Sequence, residues 1–158
     1  MYKFIIFDAD GTLVTTKSGE TFRKTADDWQ MLPGRVEKCD ELREQGALLG
    51  IASNQAGVAF PWSKFTEGEI RAELTITSMM IDGCYTGVCC SSPNEKALPE
   101  YFNANDPRRK PNGGMILEGM QHVGVEPEET LFVGDRPEDE QAAKAAGVEF
   151  MWADKFFS

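Results

Sequence analysis

The sequence contains few metal-binding or disulfide-forming side chains and no long apolar run. Its 158 residues include one His and four Cys. No two Cys have C-x-x-C spacing, so neither a disulfide framework nor a zinc knuckle is indicated. No apolar run reaches the roughly 18 residues that a membrane-spanning helix needs. The N-terminal apolar stretch is short and ends at once in Asp8, unlike a signal peptide. We therefore expect a cytoplasmic protein with reduced thiols and no membrane contact.

Basic residues are also scarce. Lys and Arg total 16 against 26 Asp and Glu, which leaves a formal net charge of −10. Proteins that bind nucleic acid without sequence preference are normally basic. Broad nonspecific DNA binding is therefore disfavoured, although a local basic strip beside an acidic metal site stays open. The G-x-x-x-x-G-K-[ST] pattern is missing as well, which excludes P-loop kinase activity for this chain.

Short apolar runs alternate with helical patterns along the whole chain. This alternation predicts an α/β fold, a Rossmann-like three-layer α/β/α sandwich whose mostly parallel sheet is covered on both faces. We expect a single domain spanning 1–158, because no segment is long enough for a large cap domain. The predicted strands are 3–7, 47–52, 84–90, 130–133 and 148–152, the helices are 35–45, 66–74, 114–123 and 137–146, and 91–110 is a long loop.

Three of the predicted strands end in polar residues. Asp8 follows the first, Ser53 follows the second, and Gly134 and Asp135 follow the fourth. The carboxyl ends of parallel strands lie along one edge of the sheet, where ligands bind in open α/β folds. Polar groups that are far apart in the sequence are therefore expected to converge there.

These residue types suit phosphoryl chemistry. One of the paired carboxylates, Asp8 and Asp10, can attack phosphorus, and the other can protonate the leaving oxygen and later activate water. Asp135, with Asp139 one helical turn later, could complete an oxygen-rich Mg²⁺ site. Lys110 offers a positive charge to the phosphate oxygens.

Ser53 and Asn54 offer a hydroxyl and an amide to the same phosphate oxygens. An alternative interpretation treats Asp8–Gly11 as a simple turn and Gly134-Asp135 as a helix start. Each fragment alone fits that alternative. The ordered set favours catalysis, because every member falls at a strand end or in a loop.

The sequence resembles the haloacid dehalogenase superfamily of phosphotransferases. Segment 8–12 matches the first motif of the family, Ser53 the second, Lys110 the third, and Gly134-Asp135 with Asp139 the fourth. The resemblance implies that Asp8 is the nucleophile and Asp10 the general acid and base. It also implies that Mg²⁺ is held by the Asp8 side chain, by the Asp10 backbone carbonyl and by the fourth motif, whose candidate ligands here are Asp135 and Asp139.

Individual segments resemble different members of one branch of the family. Segments 53–59 and 109–111 are similar to the branch that holds histidinol-phosphate, heptose bisphosphate and polynucleotide 3′-phosphatases. Segment 12–19, with Phe22 and Asp28-Trp29, looks most like the phosphatase domain of polynucleotide kinase/phosphatase. Segment 134–139 instead looks like the bacterial sugar-phosphate members. The resemblance adds Gln55, Arg109 and Arg136 as candidate substrate-binding residues.

Members of this branch usually carry a zinc loop, and this chain departs from it. Cys89 fits the first ligand position, but Ser91 stands where a His is expected, and Asp106 and Arg108 occupy the later positions. Since four-coordinate zinc needs four good ligands, we expect no bound zinc.

The substrate hypotheses differ in class. Our first hypothesis is a polynucleotide 3′-phosphatase acting on a DNA or RNA 3′ end. The alternative is a phosphatase for a sugar phosphate or histidinol phosphate, and a noncatalytic scaffold is a third class. Trp29, Phe60 and Trp62 could stack on bases, with core packing as the alternative. Four basic residues could contact a phosphate backbone, with a solvated charged face as the alternative: Arg23, Lys24, Arg108 and Arg109.

Overall fold

A computed structural model describes all residues 1–158. In chain order the elements are β1 (Phe4–Phe7), β2 (Val14–Thr15), β3 (Gln30–Met31), α1 (Arg35–Glu44), β4 (Leu48–Asn54), α2 (Glu67–Met80), β5 (Tyr85–Cys89), α3 (Gly114–Val123), β6 (Thr130–Gly134), α4 (Pro137–Ala146), β7 (Glu149–Trp152) and α5 (Ala153–Phe156). Five strands form one sheet in the order β5-β4-β1-β6-β7, and every neighbouring pair is parallel. The predicted α/β fold is confirmed.

The central strand β1 explains why the sheet is covered on both faces. Its four residues are all apolar and buried, as in a strand that packs against helices on either side. Phe4 and Ile6 join the core under α3 and α4, whereas Ile5 and Phe7 join the core under α1 and α2. The alternation of side chains along the strand therefore produces the predicted three layers.

Two elements extend beyond their predicted ends. Helix α2 runs on to Met80 rather than ending near Leu74, because Thr77, Ser78 and the following Ile81 are buried by tertiary packing that outweighs their weak helix preference. Strand β4 continues to Asn54, so Ser53 and Asn54 pair with β5 inside the strand rather than following it.

Sequence patterns did not predict the smallest elements. Strands β2 and β3 form an antiparallel ribbon between β1 and α1. Each has only two residues, too few to show a strand alternation. The predicted 91–110 loop contains no helix or strand, and an isolated bridge joins Ser92 to Phe102. No helix combines the length and hydrophobicity needed to cross a bilayer.

Candidate active site

The three central strands bring the predicted site residues to one edge of the sheet. Asp8 follows β1, Ser53 and Asn54 end β4, and Asp135 follows β6. A cavity of about 700 Å³ opens at this edge. Its lining includes most of the predicted site residues, namely Asp8, Asp10, Asn54, Gln55, Arg109, Lys110, Arg136 and Asp139. The convergence expected from the strand ends is therefore present.

Asp8 and Lys110 form the buried centre of this cavity. Lys110 Nζ donates to Asp8 Oδ1 and to Asp139 Oδ1, both at 2.7 Å, and the Lys110 side chain is only 3% exposed. Burial raises the pKa of Asp8 well above its ordinary value, Lys110 opposes that rise, and Asp139 adds to it. Burial alone would lower the pKa of Lys110, but Asp8 and Asp139 raise it overall. The lysine is therefore held as a cation between two carboxylates.

Asp139 also fixes the turn between β6 and α4. Its Oδ2 accepts hydrogen bonds from the backbone N–H groups of Asp135 and Arg136, each at 3.1 Å. Both of its oxygens are thus engaged, one with Lys110 and one with the turn. This geometry makes Asp139 a residue that positions Lys110 and Asp135, and leaves Asp135 with the exposed carboxylate.

The carboxylates at this edge suit a divalent cation. One oxygen each from Asp8, Asp135 and Asp139 lies within 4.8 Å of the others. Three carboxylates beside one lysine offer more oxygen atoms than the lysine can bind, and hard oxygen donors are the ligands Mg²⁺ prefers. The Asp135 carboxylate also approaches the first turn closely, because a Cβ on Gly11 would lie 2.0 Å from Asp135 Oδ2. The residues present therefore fit Mg²⁺.

The second aspartate, Asp10, has different surroundings. Its Oδ1 accepts from Arg23 Nε at 3.1 Å and from Arg23 Nη2 at 2.9 Å. Its Oδ2 accepts from Gln55 Nε2 at 2.8 Å. Arg23 was predicted either to contact a phosphate backbone or to lie on a solvated charged face. The structure corrects this, because its side chain is buried and its guanidinium is directed at Asp10.

The predicted phosphate-binding groups on β4 are partly engaged within the protein. Asn54 Nδ2 donates to the Lys110 carbonyl at 2.8 Å, and Asn54 Oδ1 accepts from the Lys110 N–H at 3.0 Å. Ser53 is buried, and its Oγ accepts from Gln55 Nε2 at 2.8 Å. Asn54 thus holds the lysine loop in place, which its position in the sequence did not reveal.

The loop that delivers Lys110 is held by direct hydrogen bonds among the residues at the zinc-ligand positions. Asp106 accepts from Ser91 Oγ at 2.7 Å and from the Arg108 N–H at 2.9 Å. Cys89 Sγ lies 3.4 Å from the same carboxylate. The absence of zinc stays a prediction. In this structure the hydrogen bonds to Asp106 hold the loop in place.

The two arginines before Lys110 differ. Arg108 binds Glu118 at 2.9 Å and the Val88 carbonyl at 3.0 Å, so its predicted contact with a nucleic-acid strand is not supported. Arg109 is half-buried in the cavity wall, where its Nη1 donates to the Ser91 carbonyl at 2.8 Å.

Comparison with known proteins agrees with this geometry. Residues 3–158 match the family described as polynucleotide kinase 3 phosphatase. The chain belongs to this family. It is 30% identical over 151 residues to the D-glycero-beta-D-manno-heptose-1,7-bisphosphate 7-phosphatase of Pasteurella multocida, covering 94% of this chain and 79% of that protein. It is also 34% identical over 137 residues to an uncharacterized 20.8 kDa protein of Autographa californica nuclear polyhedrosis virus, covering 84% of this chain and 65% of that protein.

Solved structures share the fold of this chain, among them one of the haloacid dehalogenase superfamily. The D,D-heptose 1.7-bisphosphate phosphatase of B. bronchiseptica, complexed with magnesium and phosphate, superposes with a TM-score of 0.72 at 25% identity, covering 94% of this chain and 78% of that one. A HAD-superfamily hydrolase of Geobacter sulfurreducens shares the fold with a TM-score of 0.63 at 19% identity, covering 95% and 88% of the two chains. The resemblance seen in the motifs is confirmed, and the chain is a phosphoric monoester hydrolase.

Aromatic side chains surround the mouth of this phosphatase's cavity. Phe22 is 74% exposed and Trp62 is 63% exposed, and Trp62 stacks on Phe60 with ring centroids 4.8 Å apart. All three line the cavity. Trp29 does not, because its ring packs against the core and its Nε1 donates to Glu73 at 2.8 Å. The core-packing alternative is therefore right for Trp29.

Proposed function

We propose that this phosphatase hydrolyses a phosphomonoester through a phosphoryl group carried on Asp8. The observation that supports this most is the buried Asp8–Lys110–Asp139 arrangement, with Asp10 two residues further along the turn. Preorganised charges in a desolvated site act strongly on the charge that develops during reaction. Lys110 would hold the transferring phosphoryl oxygens beside Asp8.

The proposed reaction has two steps. In the first, an Asp8 oxygen bonds to phosphorus, the bond from phosphorus to the ester oxygen breaks, and a proton held by Asp10 passes to that oxygen, which leaves as an alcohol. In the second, Asp10 accepts a proton from water, whose oxygen bonds to phosphorus as the bond to Asp8 breaks. Phosphate leaves, and Asp8 and Asp10 return to their starting states.

The cation in this proposal is Mg²⁺, which the Asp8 and Asp135 carboxylates and the Asp10 backbone carbonyl would hold. When bound, Mg²⁺ supplies positive charge that favours ionised Asp8 and offsets the negative charge of the phosphate. Asp139 would support this site through Lys110 and the Asp135 N–H, since both of its oxygens are already engaged.

A small sugar phosphate is the substrate class that the relatives support best. The heptose-bisphosphate phosphatases of Pasteurella multocida and Yersinia pestis are 30% and 31% identical to this chain over 94% and 91% of its length. The cavity volume of about 700 Å³ is within the usual size range of small-molecule sites. The net charge of −10 also disfavours a polyanionic substrate at long range.

A nucleic-acid 3′ end is the second candidate, and a specific observation favours it. The exposed Phe22 and the stacked Phe60–Trp62 pair at the cavity mouth present faces on which a base could stack. The matching family carries the description polynucleotide kinase 3 phosphatase. Arg109 also lines the cavity, where its guanidinium could contact a phosphate.

A substrate panel tests the proposal. With Mg²⁺, the enzyme should hydrolyse a generic aryl phosphate, and kcat/KM should be compared for a heptose bisphosphate, histidinol phosphate and a 3′-phosphorylated oligonucleotide. Trp62→Ala should leave sugar-phosphate hydrolysis within about 2-fold. If oligonucleotides are the substrate, it should lower their kcat/KM by about 5- to 150-fold, because base stacking contributes about 1–3 kcal/mol per base.

Met79→Ala is the matched control for Trp62→Ala, because Met79 is 73% exposed on α2 and lies outside the cavity lining. Lack of turnover on every phosphomonoester would refute the proposed reaction. Oligonucleotide hydrolysis far faster than that of any sugar phosphate would reverse the order of the two substrate candidates.

A further inference from the structure

Three hydrogen bonds fix the carboxylate of Asp10, although its side chain is partly exposed. Each carboxylate oxygen has two lone pairs that can accept hydrogen bonds. Two guanidinium N–H groups of Arg23 occupy Oδ1 at 3.1 and 2.9 Å, and Gln55 occupies one position on Oδ2 at 2.8 Å. Oδ2 therefore has the only free acceptor position, on a side chain that is 43% exposed toward the cavity.

Arg23 is itself fixed and is not a mobile surface arginine. Its side chain is only 4% exposed, and its third donor, Nη1, binds the Ala26 carbonyl at 3.0 Å. The segment that carries it is tied by Asp28, which accepts from the backbone N–H groups of Ser18 and Lys24 at 2.9 Å each. A rigid arginine with a planar fork imposes a direction on the carboxylate it binds.

We infer that Arg23 is a positioning residue that turns Asp10 so that Oδ2 faces the leaving oxygen of the substrate. The inference rests on the proposed function, in which Asp10 transfers the proton. No bond to Arg23 forms or breaks in either step. Arg23 acts through Asp10, and its contribution is therefore greatest for substrates whose leaving oxygen most needs a proton.

Leaving-group dependence separates this role from a structural one. An aryl phosphate with an acidic phenol leaves without much protonation, whereas an alkyl phosphate requires it. Arg23→Ala should therefore lower kcat on the order of 10- to 100-fold for an alkyl phosphate, since small misplacements of a catalytic group cost about that much. With the aryl phosphate kcat should fall by less than about 3-fold, and KM should change little for either.

The double variant gives the second readout. Asp10→Asn alone should show the same leaving-group pattern, and adding Arg23→Ala to it should change kcat by less than about 2-fold, because residues that act as a unit are not additive. Lys24→Ala is the matched control, as Lys24 is an exposed neighbour that pairs only with Glu20 at 3.3 Å. Arg23→Lys keeps the buried charge without the fork and should give an intermediate loss.

Four results would overturn the inference. An equal kcat loss on aryl and alkyl phosphates would mark a structural role, and a KM increase on all substrates would mean that Arg23 binds the phosphate directly. Unchanged kinetics for Arg23→Ala or additive losses in the double variant would also contradict it. If Asp10→Asn shows the leaving-group pattern and Arg23 variants do not, only this inference fails. If the wild type has no phosphatase turnover, the proposed function fails with it.

If Arg23→Ala and Arg23→Lys both fail to fold, Asp28→Asn provides the comparison, because it loosens the segment that carries Arg23 without touching Asp10. It should show the same leaving-group pattern with a smaller loss, and a uniform loss across substrates would overturn the inference.

Discussion

The floor and the rim of the cavity are built on opposite principles. The floor, formed by Asp8, Lys110 and Asp139, lies at the carboxyl edge of the sheet and is buried, with Lys110 only 3% exposed. The rim, formed by Phe22, Arg23 and Trp62, lies on loops, and two of its three side chains are mostly exposed. Charges act strongly in the buried floor, whereas the exposed side chains of the rim can be substituted without altering those interactions. We therefore assign the chemistry to the floor, the positioning of Asp10 to Arg23, and the selection of substrate to the aromatic side chains of the rim.

The largest effect should come from Asp8→Asn. The amide is nearly the same shape but a poor nucleophile, so turnover should fall by about 10⁴-fold or more. Since burial already disfavours the charged form of Asp8, unfolding free energy should change by less than about 2 kcal/mol. Steady-state kinetics and urea unfolding check both values, with Asp40→Asn on α1 as control. Wild-type turnover in the variant would remove Asp8 from its assigned role.

Lys110→Met should lower the free energy of unfolding. Without the ammonium, Asp8 and Asp139 face each other uncompensated in the floor, and breaking a buried pair costs about 3–5 kcal/mol. The loss should be measured by urea unfolding without metal, and added Mg²⁺ should recover part of it. Lys96→Met, an exposed position on the same loop, should change stability by less than about 0.5 kcal/mol. Equal stability of the two variants would contradict the floor as described.

The floor could be predicted from the sequence, whereas the role of Arg23 in the rim could not. Asp8 and Asp135 were placed by strand ends, a feature that local apolar runs reveal, and Lys110 by its motif. Arg23 was misassigned because the direction of its side chain depends on the loop geometry set by Asp28, which no periodicity encodes. For Trp29 the sequence left base stacking and core packing open, and the structure shows core packing, with a hydrogen bond to Glu73 that lies far along the chain.

The rim should respond to acid through Asp28. Its hydrogen bonds from Lys24 and Ser18 lower its pKa to about 2, against 3.8 ordinarily. A depressed folded-state pKa adds stability that is complete above the ordinary value and is lost as pH falls toward the folded value. The stability difference between wild type and Asp28→Ala should therefore be constant above about pH 5 and shrink between about pH 4 and 2. Urea midpoints across this range measure it, and a difference independent of pH would contradict the assignment.

The smallest effect concerns zinc at the loop that carries Lys110. Because Ser91 and Arg108 each donate a hydrogen bond to Asp106, we expect no stoichiometric zinc in the purified protein, and a zinc-selective chelator should leave the unfolding temperature unchanged. Asp106→Ala should lower stability by about 1–2 kcal/mol through the lost hydrogen bonds. Elemental analysis that finds one zinc per chain would refute this view of the loop.

The central claim is that the phosphoryl group passes through Asp8, and a single-turnover quench experiment tests it most directly. Enzyme in excess over an aryl phosphate, with Mg²⁺, should be acid-quenched over time and digested, and the peptide containing Asp8 examined by mass spectrometry. The account predicts a phosphorylated form of that peptide which rises and then decays as phosphate appears, and which Asp8→Asn lacks. Stoichiometric phosphate release without a phosphorylated Asp8 peptide at any time, under conditions that preserve acyl phosphates, would contradict the account.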